Sequence, residues 1–281
     1  MRLAVPVPAF LLLVLYCAAP HAQSTTAPLP DPHQLLNRAL ANEKKLADEQ
    51  ERYECHVTDE GTETDKNGNV KKKTLEVKEQ FYVNGVSIER TLSKDGKDLT
   101  PDQTRKEDER VMKETLKYSN KATADKAAAK DDRETQDIIS AMMLTNGRRS
   151  SVNNRSTLAY DIVPNPGFQP KNLGQHFATV MQGTASVDEQ TGEIIDLNIK
   201  STKDLKIVGG LVGNLSKGFW IHMHNQQQPD GIWLNDLSEG SGDVHALLFF
   251  HPYFRFKETT GSCHLFTTTA TQTTPAKPTQ K

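Results

Sequence analysis

The sequence has no excess of charge of either sign: 34 Lys and Arg stand against 36 Asp and Glu, a formal −2 over 281 residues. Neither nucleic acid nor an anionic membrane is given a global electrostatic handle. No stretch beyond the leader approaches about 20 consecutive apolar residues, so a permanent membrane-spanning helix is not expected in the mature chain. No repeat of solenoid length occurs. Apolar residues make up 36%, low for a globular protein but above a disordered chain, so a core is available. A catalytic signature is missing too. Glu239-Gly240-Ser241-Gly242 lacks the G-x-S-x-G elbow and reads as a turn. The glycine run from Gly209 to Gly218 has neither phosphate-loop spacing and reads as a flexible connection or strand bend. Asp65 to Asn69 is half of a calcium loop without its terminal Glu, again a turn. The remaining carboxylates lie mostly beside Lys and Arg in helical runs, where solvated pairing explains them. The expectation is a protein that is not an enzyme and holds no cofactor.

What is present begins with a leader. Met1 and Arg2 supply the positive start, Phe10 to Cys17 the apolar run and Ala18 to Ala22 the small-residue exit. This predicts a signal peptide over 1–22, a Thr/Pro linker over 23–30 and a periplasmic or secreted protein. Cys17 invites a lipidation reading, but Tyr16 is large where that cleavage wants a small residue. The mature chain then keeps two cysteines, Cys55 and Cys263. In an oxidising compartment an even count favours a bridge between them.

Asp31 caps a helix with Pro32 in its first turn and Gln34 three residues after the cap. Leu35, Leu36, Ala39, Leu40 and Ala47 recur at helical spacing, so that helix is amphipathic and ends around Glu51. From Arg52 the period changes to two through Tyr53, Cys55 and Val57. Asn67-Gly68 and Asn84-Gly85 then mark turns of a three-stranded meander reaching Leu92. A helical insertion is predicted over 100–146. Thr100, Pro101 and Gln103 open it with a capping box. Ten of the sixteen positions from Asp102 to Lys117 are charged, so this part, Lys106 to Arg110 included, is a solvated face. Asn120 to Lys130 has no apolar side, whereas Ile138, Ile139, Met142 and Met143 restore one before Asn146-Gly147 stops the helix.

Strand patterns return over Thr157 to Val163, Phe177 to Val187, Ile194 to Thr202, Phe219 to Gln226, Ile232 to Leu237, Val244 to His251 and Tyr253 to Thr259. The simplest topology runs neighbour to neighbour with the helices inserted between the two sheet halves. Residues 31–266 make one domain, and 267–281 a disordered Thr/Pro/Lys tail. Helices do not alternate with strands, which excludes a doubly wound fold. The fold class is α+β: a curved antiparallel β half-barrel of about ten strands wrapped around two or three helices.

That order of elements resembles the periplasmic lipoprotein-carrier superfamily, the LolA/LolB-like half-barrels. More locally, Tyr53-x-Cys55, Phe81-Tyr82-Val83-Asn84-Gly85 followed by Glu89-Arg90, Lys106 to Arg110, and Tyr160 to Pro170 resemble uncharacterised secreted bacterial members. The resemblance covers about Asp31 to Thr259 and carries over no ligand-handling residue. It implies an apolar face closed by a helical lid, suited to an acyl chain or another lipid. Leu36, Leu40, Ile138, Ile139, Met142 and Met143 are the candidate lining residues; Met repacks around irregular apolar shapes, though plain core packing accounts for these positions as well. The expected function is to bind or shuttle an apolar envelope molecule without covalent chemistry. The alternative is a structural or interaction module of the envelope, with a filled core and an envelope protein as its partner. The one metal-like feature is His222-Met223-His224, which sets two imidazoles on one side of a strand. A third ligand from His245, His251 or a carboxylate is fixed by no spacing, so surface histidines are the expectation and no metal is assigned.

Overall fold

The computed structural model of the protein describes residues 28–65, 67–152, 155–207, 213–245 and 253–265, with the side chains of 33, 40, 43–48, 206–207, 213–214 and 244–245 outside that description. The expected leader, most of the linker, the tail and residues 209–212 of the glycine run lie outside the described residues. In chain order the elements are α1 (Pro32–Gln50), β1 (Tyr53–Thr64), β2 (Val70–Val83), β3 (Val86–Lys94), β4 (Lys97–Asp98), α2 (Pro101–Ser119), α3 (Lys121–Ser140), β5 (Met142–Val152) and β6 (Arg155–Pro164). They continue with α4 (Leu173–Ala178), β7 (Met181–Asp188), β8 (Ile194–Ser201), β9 (Leu205–Ile207), β10 (Gly213–Leu215), β11 (Trp220–Gln227), β12 (Trp233–His245) and β13 (Tyr253–Leu265).

The fold is α+β. Its sheet is antiparallel and runs β4-β3-β2-β1-β13-β12-β11-β8-β7-β6-β5, with β9 and β10 attached beside β12. β4 and β5 end that order, so the sheet is open. Each half is a meander, as expected, but the halves do not meet where the helices are inserted. They join at β1 and β13, from Tyr53 opposite Leu265 to Thr64 opposite Tyr253. The insertion α2–α3 instead carries the chain from one outer edge of the sheet to the other. Cys55 and Cys263 lie on this seam and are disulfide-bonded, 208 residues apart in sequence.

Several boundaries differ from the sequence reading. The third helix ends at Ser140, so Met142 and Met143 belong to β5 and not to an apolar helical stripe. Asn146-Gly147 does not stop a helix: Asn146 takes φ 51°, and the register slips between Thr145 and Arg148, a bulge inside β5. A fourth helix precedes Met181 where a strand from Phe177 was expected; Asn172 caps it, its side chain accepting from the Gln175 N–H at 2.9 Å. Glu239-Gly240-Ser241-Gly242 is not a turn but lies within β12. Asn120 to Lys130, without an apolar side in the sequence, is the capped start of α3, and its Ala124 is fully buried. Most of the predicted strand Val244 to His251 lies outside the described residues.

Nor is Lys106 to Arg110 wholly solvated. Glu107 Oε1 accepts from the Thr91 N–H at 2.7 Å, and Arg110 donates to the Glu89 carbonyl. α2 thereby satisfies backbone groups along β3, near one limit of the sheet, where unpaired groups would invite aggregation. The Arg110 guanidinium, aided by the Thr91 N–H, holds the Glu107 carboxyl at about 2.

Candidate functional site

Strand alternation divides the sheet into two surfaces. Leu158, Tyr160 and Ile162 of β6 pair in register with Val187, Ala185 and Gly183 of β7 and so share one face. The row continues from Gly183 through Ile199, Ile221, Gly240 and Phe256 to Gly61 of β1. This Phe256 face is covered at two places. Leu35 of α1 packs on Leu158, Tyr160 and Val187. Phe177 of α4 packs on the cluster around Met181 and Phe219 and meets the Phe219 ring edge-on at 5.8 Å. Solvent still reaches part of this apolar floor: Leu197, Ile221 and Phe254, packed against the same cluster, are half-buried, as is Phe256, and Met223 is 37% exposed. Phe254 and Phe256 stack on one another at 6.4 Å.

Glycines shape this floor. A Cβ on Gly183 would stand 1.8 Å from the Asn198 carbonyl oxygen, and one on Gly240 2.5 Å from that of Trp220. Both clashes are with backbone of the adjacent strand. Gly242 differs: its nearest obstacle is the Phe219 ring at 2.6 Å.

On the same face the other half of the sheet is charged. Lys78 of β2 is ion-paired with Asp59 of β1 and, at 2.7 Å, with Glu89 of β3. Burial opposes its charge, but the hydrogen bonds to the two carboxylates prevail and raise its pKa. Glu258 of β13 completes the row, pushed upward by burial and by the neighbouring Asp59 charge. A carboxyl with a raised folded pKa contributes stability present below its unfolded pKa of about 4.3 and lost as pH climbs through the folded value. Glu258→Gln is therefore expected to leave stability unchanged or raise it by up to about 1 kcal/mol at neutral pH, where the negative charge is the strained state. Urea midpoints at neutral pH and near pH 4, compared between variant and parent, check this; a loss at neutral pH contradicts it.

The opposite face carries the two histidines singled out in the sequence. His222 contacts Asp196 at 2.8 Å and Glu239 at 3.3 Å, and His224 contacts Asp236 at 2.6 Å. They are half-buried and carboxylate-paired, not free surface groups. Among the described residues no group of three His, Cys, Asp or Glu is placed to hold a metal ion. The Asp196 hydrogen bond, against some burial, raises the His222 pKa. The pair's contribution to stability is thus full below about 6.5 and fades as pH rises through the higher folded value. In an NMR titration His222 is expected to titrate above about 6.5 in the parent and to fall when Asp196 becomes Asn. The sequence spacing paired the histidines but gave no sign of these partners, which sit on neighbouring strands.

The residues expected to line an apolar site are dispersed. Leu36 is half-buried on α1, where Leu35 takes the buried position, and the Leu40 side chain lies outside the description. Ile138 and Ile139 are half-buried on α3, with Ile138 beside Gly174 of α4. Met142 packs against the Met181 and Phe219 cluster, whereas Met143, one residue on, faces the other way and is 41% exposed. Phe254, Phe256, Ile221 and Leu197 were read only as strand residues; period two identifies a strand but does not say which of its sides remains open.

No protein-family model matches the chain, and no curated protein matches it significantly. Two solved structures are similar to it. One is a putative outer membrane lipoprotein-sorting protein domain from Vibrio parahaemolyticus, 12% identical with a TM-score of 0.33, covering 82% of this chain and 92% of that one. The other is a DUF1329 family protein from Desulfovibrio piger, 10% identical with a TM-score of 0.27, covering 84% of this chain and 94% of that one.

Proposed function

We propose that the protein is a non-enzymatic, extracytoplasmic binder or carrier of an apolar envelope molecule, a lipid or acyl chain, held against the Phe256 face of a curved half-barrel. The observation that carries this reading is the solvent-reached apolar floor of Leu197, Ile221, Met223, Phe254 and Phe256. Apolar area left in water costs roughly 25 cal/mol per Å², which an acyl chain lying there offsets. Curvature toward this face is supported by Gly183 and Gly240, where neighbouring backbone closes over the position of a side chain. It is supported again at one end of the sheet. Arg155 of β6 bonds Gln227 of β11 at 2.5 Å and lies 5.2 Å over the Trp233 ring of β12. In a flat sheet those outer two strands, four places apart, would be separated by about 19 Å. An oxidising compartment is favoured by the disulfide between Cys55 and Cys263.

The test is mild purification from the native host, organic extraction and mass spectrometry, alongside uptake of a fluorescent fatty acid. A co-purifying lipid and uptake reduced at least tenfold in Met223→Asp, with the melting transition retained, are the expected results. An empty extract with no uptake by the parent would sink the carrier reading and favour an interaction module of the envelope.

A further inference from the structure

We infer that the outer side of α2 is a docking surface for an anionic lipid membrane. Met112 and Leu116, one turn apart, are 58% and 67% exposed, while Val111, the residue before Met112, is buried. Each is followed by a lysine, Lys113 and Lys117, and Lys106, seven residues and so about two turns before Lys113, lies on the same side of the helix as that lysine. The other cations of the helix are compensated within the chain. Arg105 pairs with Asp102 and Glu109 at 3.5 and 3.3 Å, and Arg110 with Glu107 and Glu114 at 2.7 and 2.8 Å. Among the described residues no carboxylate lies within salt-bridge distance of Lys106, Lys113 or Lys117; Lys117 contacts only the Tyr118 ring and hydroxyl. The whole chain is −2, so this is a local patch and not a consequence of composition.

Two protruding apolar side chains flanked by ammonium groups match an anionic bilayer surface. Headgroup phosphates take the lysines, while Met and Leu enter the interfacial region. A second copy of this chain is a poor occupant, because a two-fold contact through Met112 and Leu116 brings the same lysines against one another. The helix is also held in place for such contact. Glu107 and Arg110 fix its inner side to β3, and Arg90 binds Asp108 at 2.5 Å. Docking here is independent of what the Phe256 face binds, and the two are tested separately.

The experiment is flotation of the full mature protein with vesicles of phosphatidylcholine alone or mixed with phosphatidylglycerol. Binding is expected to the mixed vesicles only and to be reversed by raised salt. Replacing both Lys113 and Lys117 with Gln is expected to weaken it roughly thirtyfold, about a fivefold loss per lysine. Met112→Ser with Leu116→Ser abolishes it even at low salt. All four side chains are exposed, and circular dichroism with a disulfide assay confirms folding of each variant. Absent flotation, equal binding to both vesicle types, or binding indifferent to the lysine replacements overturns the proposal. So does a doubled sedimentation mass lost on Leu116→Ser, which would assign the surface to a second copy. Uptake of fluorescent fatty acid in solution, read in the same variants, stays at the parent level whatever the flotation result, so failure of the carrier reading appears there and not here.

Discussion

Replacing Cys55 and Cys263 with serine is expected to lower stability by about 2–5 kcal/mol, among the largest single effects this fold offers. The bridge spans 208 residues, so its loss frees nearly the whole domain in the unfolded state. In the chain-entropy account a loop of that size is worth about 5 kcal/mol, with native strain and residual structure lowering the figure. Its position adds a second consequence. β1 and β13 are where the two meanders join, and the same strand pair brings Phe256 opposite Gly61 and Glu258 opposite Asp59. Loosening this seam disturbs the apolar floor and the charged row together. Cys55 is 2% exposed, so reductant alone is expected to act slowly and to accelerate once denaturant opens the seam. Guanidinium unfolding of the oxidised, reduced and double-serine forms measures the difference; coincident midpoints would show the bridge to be thermodynamically idle.

Local signals carried much of this architecture in the sequence. The capping box at Thr100 and Gln103 forms, its two hydrogen bonds at 2.8 and 3.4 Å. The Asn84-Gly85 turn joins β2 to β3 with both residues at positive φ. The change of period at Arg52 marks the first strand. What failed depended on contacts between distant residues. Ile138, Ile139, Met142 and Met143 have helical spacing, yet pairing with Pro164 and Val163 of β6 draws the two methionines into a strand. Glu239 to Gly242 looks like a turn because glycine is rare inside strands. In the sheet Gly240 lies under the Phe256 ring and Gly242 under the Phe219 ring, partners from other segments. The half-charged character of the Phe256 face was equally hidden: Lys78, Asp59 and Glu89 are brought together by the register of β1, β2 and β3, and the β1–β13 pairing sets Glu258 beside Asp59. Short-range chemistry is written in adjacent residues, whereas the identity of a sheet face is a property of register.

Gly183→Ala should be the most damaging substitution of one small residue by another, costing about 3 kcal/mol, at the upper end for overpacking. Its φ is unremarkable, so the loss does not come from backbone freedom. It comes from space: the added methyl would sit 1.8 Å from the Asn198 carbonyl oxygen and 2.7 Å from the Ile199 Cα. Neither atom belongs to a side chain that can rotate away, so β7 and β8 must separate. Gly61→Ala is the control. There the nearest atom, Thr74 Oγ1 at 2.4 Å, is the end of a side chain with another rotamer available, and a loss below about 1 kcal/mol is expected. Separating β7 from β8 also flattens the floor beside Leu197 and Ile199, so Gly183→Ala should lose fatty-acid uptake under conditions where it remains folded, while Gly61→Ala retains it. Denaturant midpoints and uptake in the two variants decide the matter. Equal destabilisation by both alanines would mean that neighbouring backbone does not close over Gly183, and the support it lends to a curved sheet would fall with it.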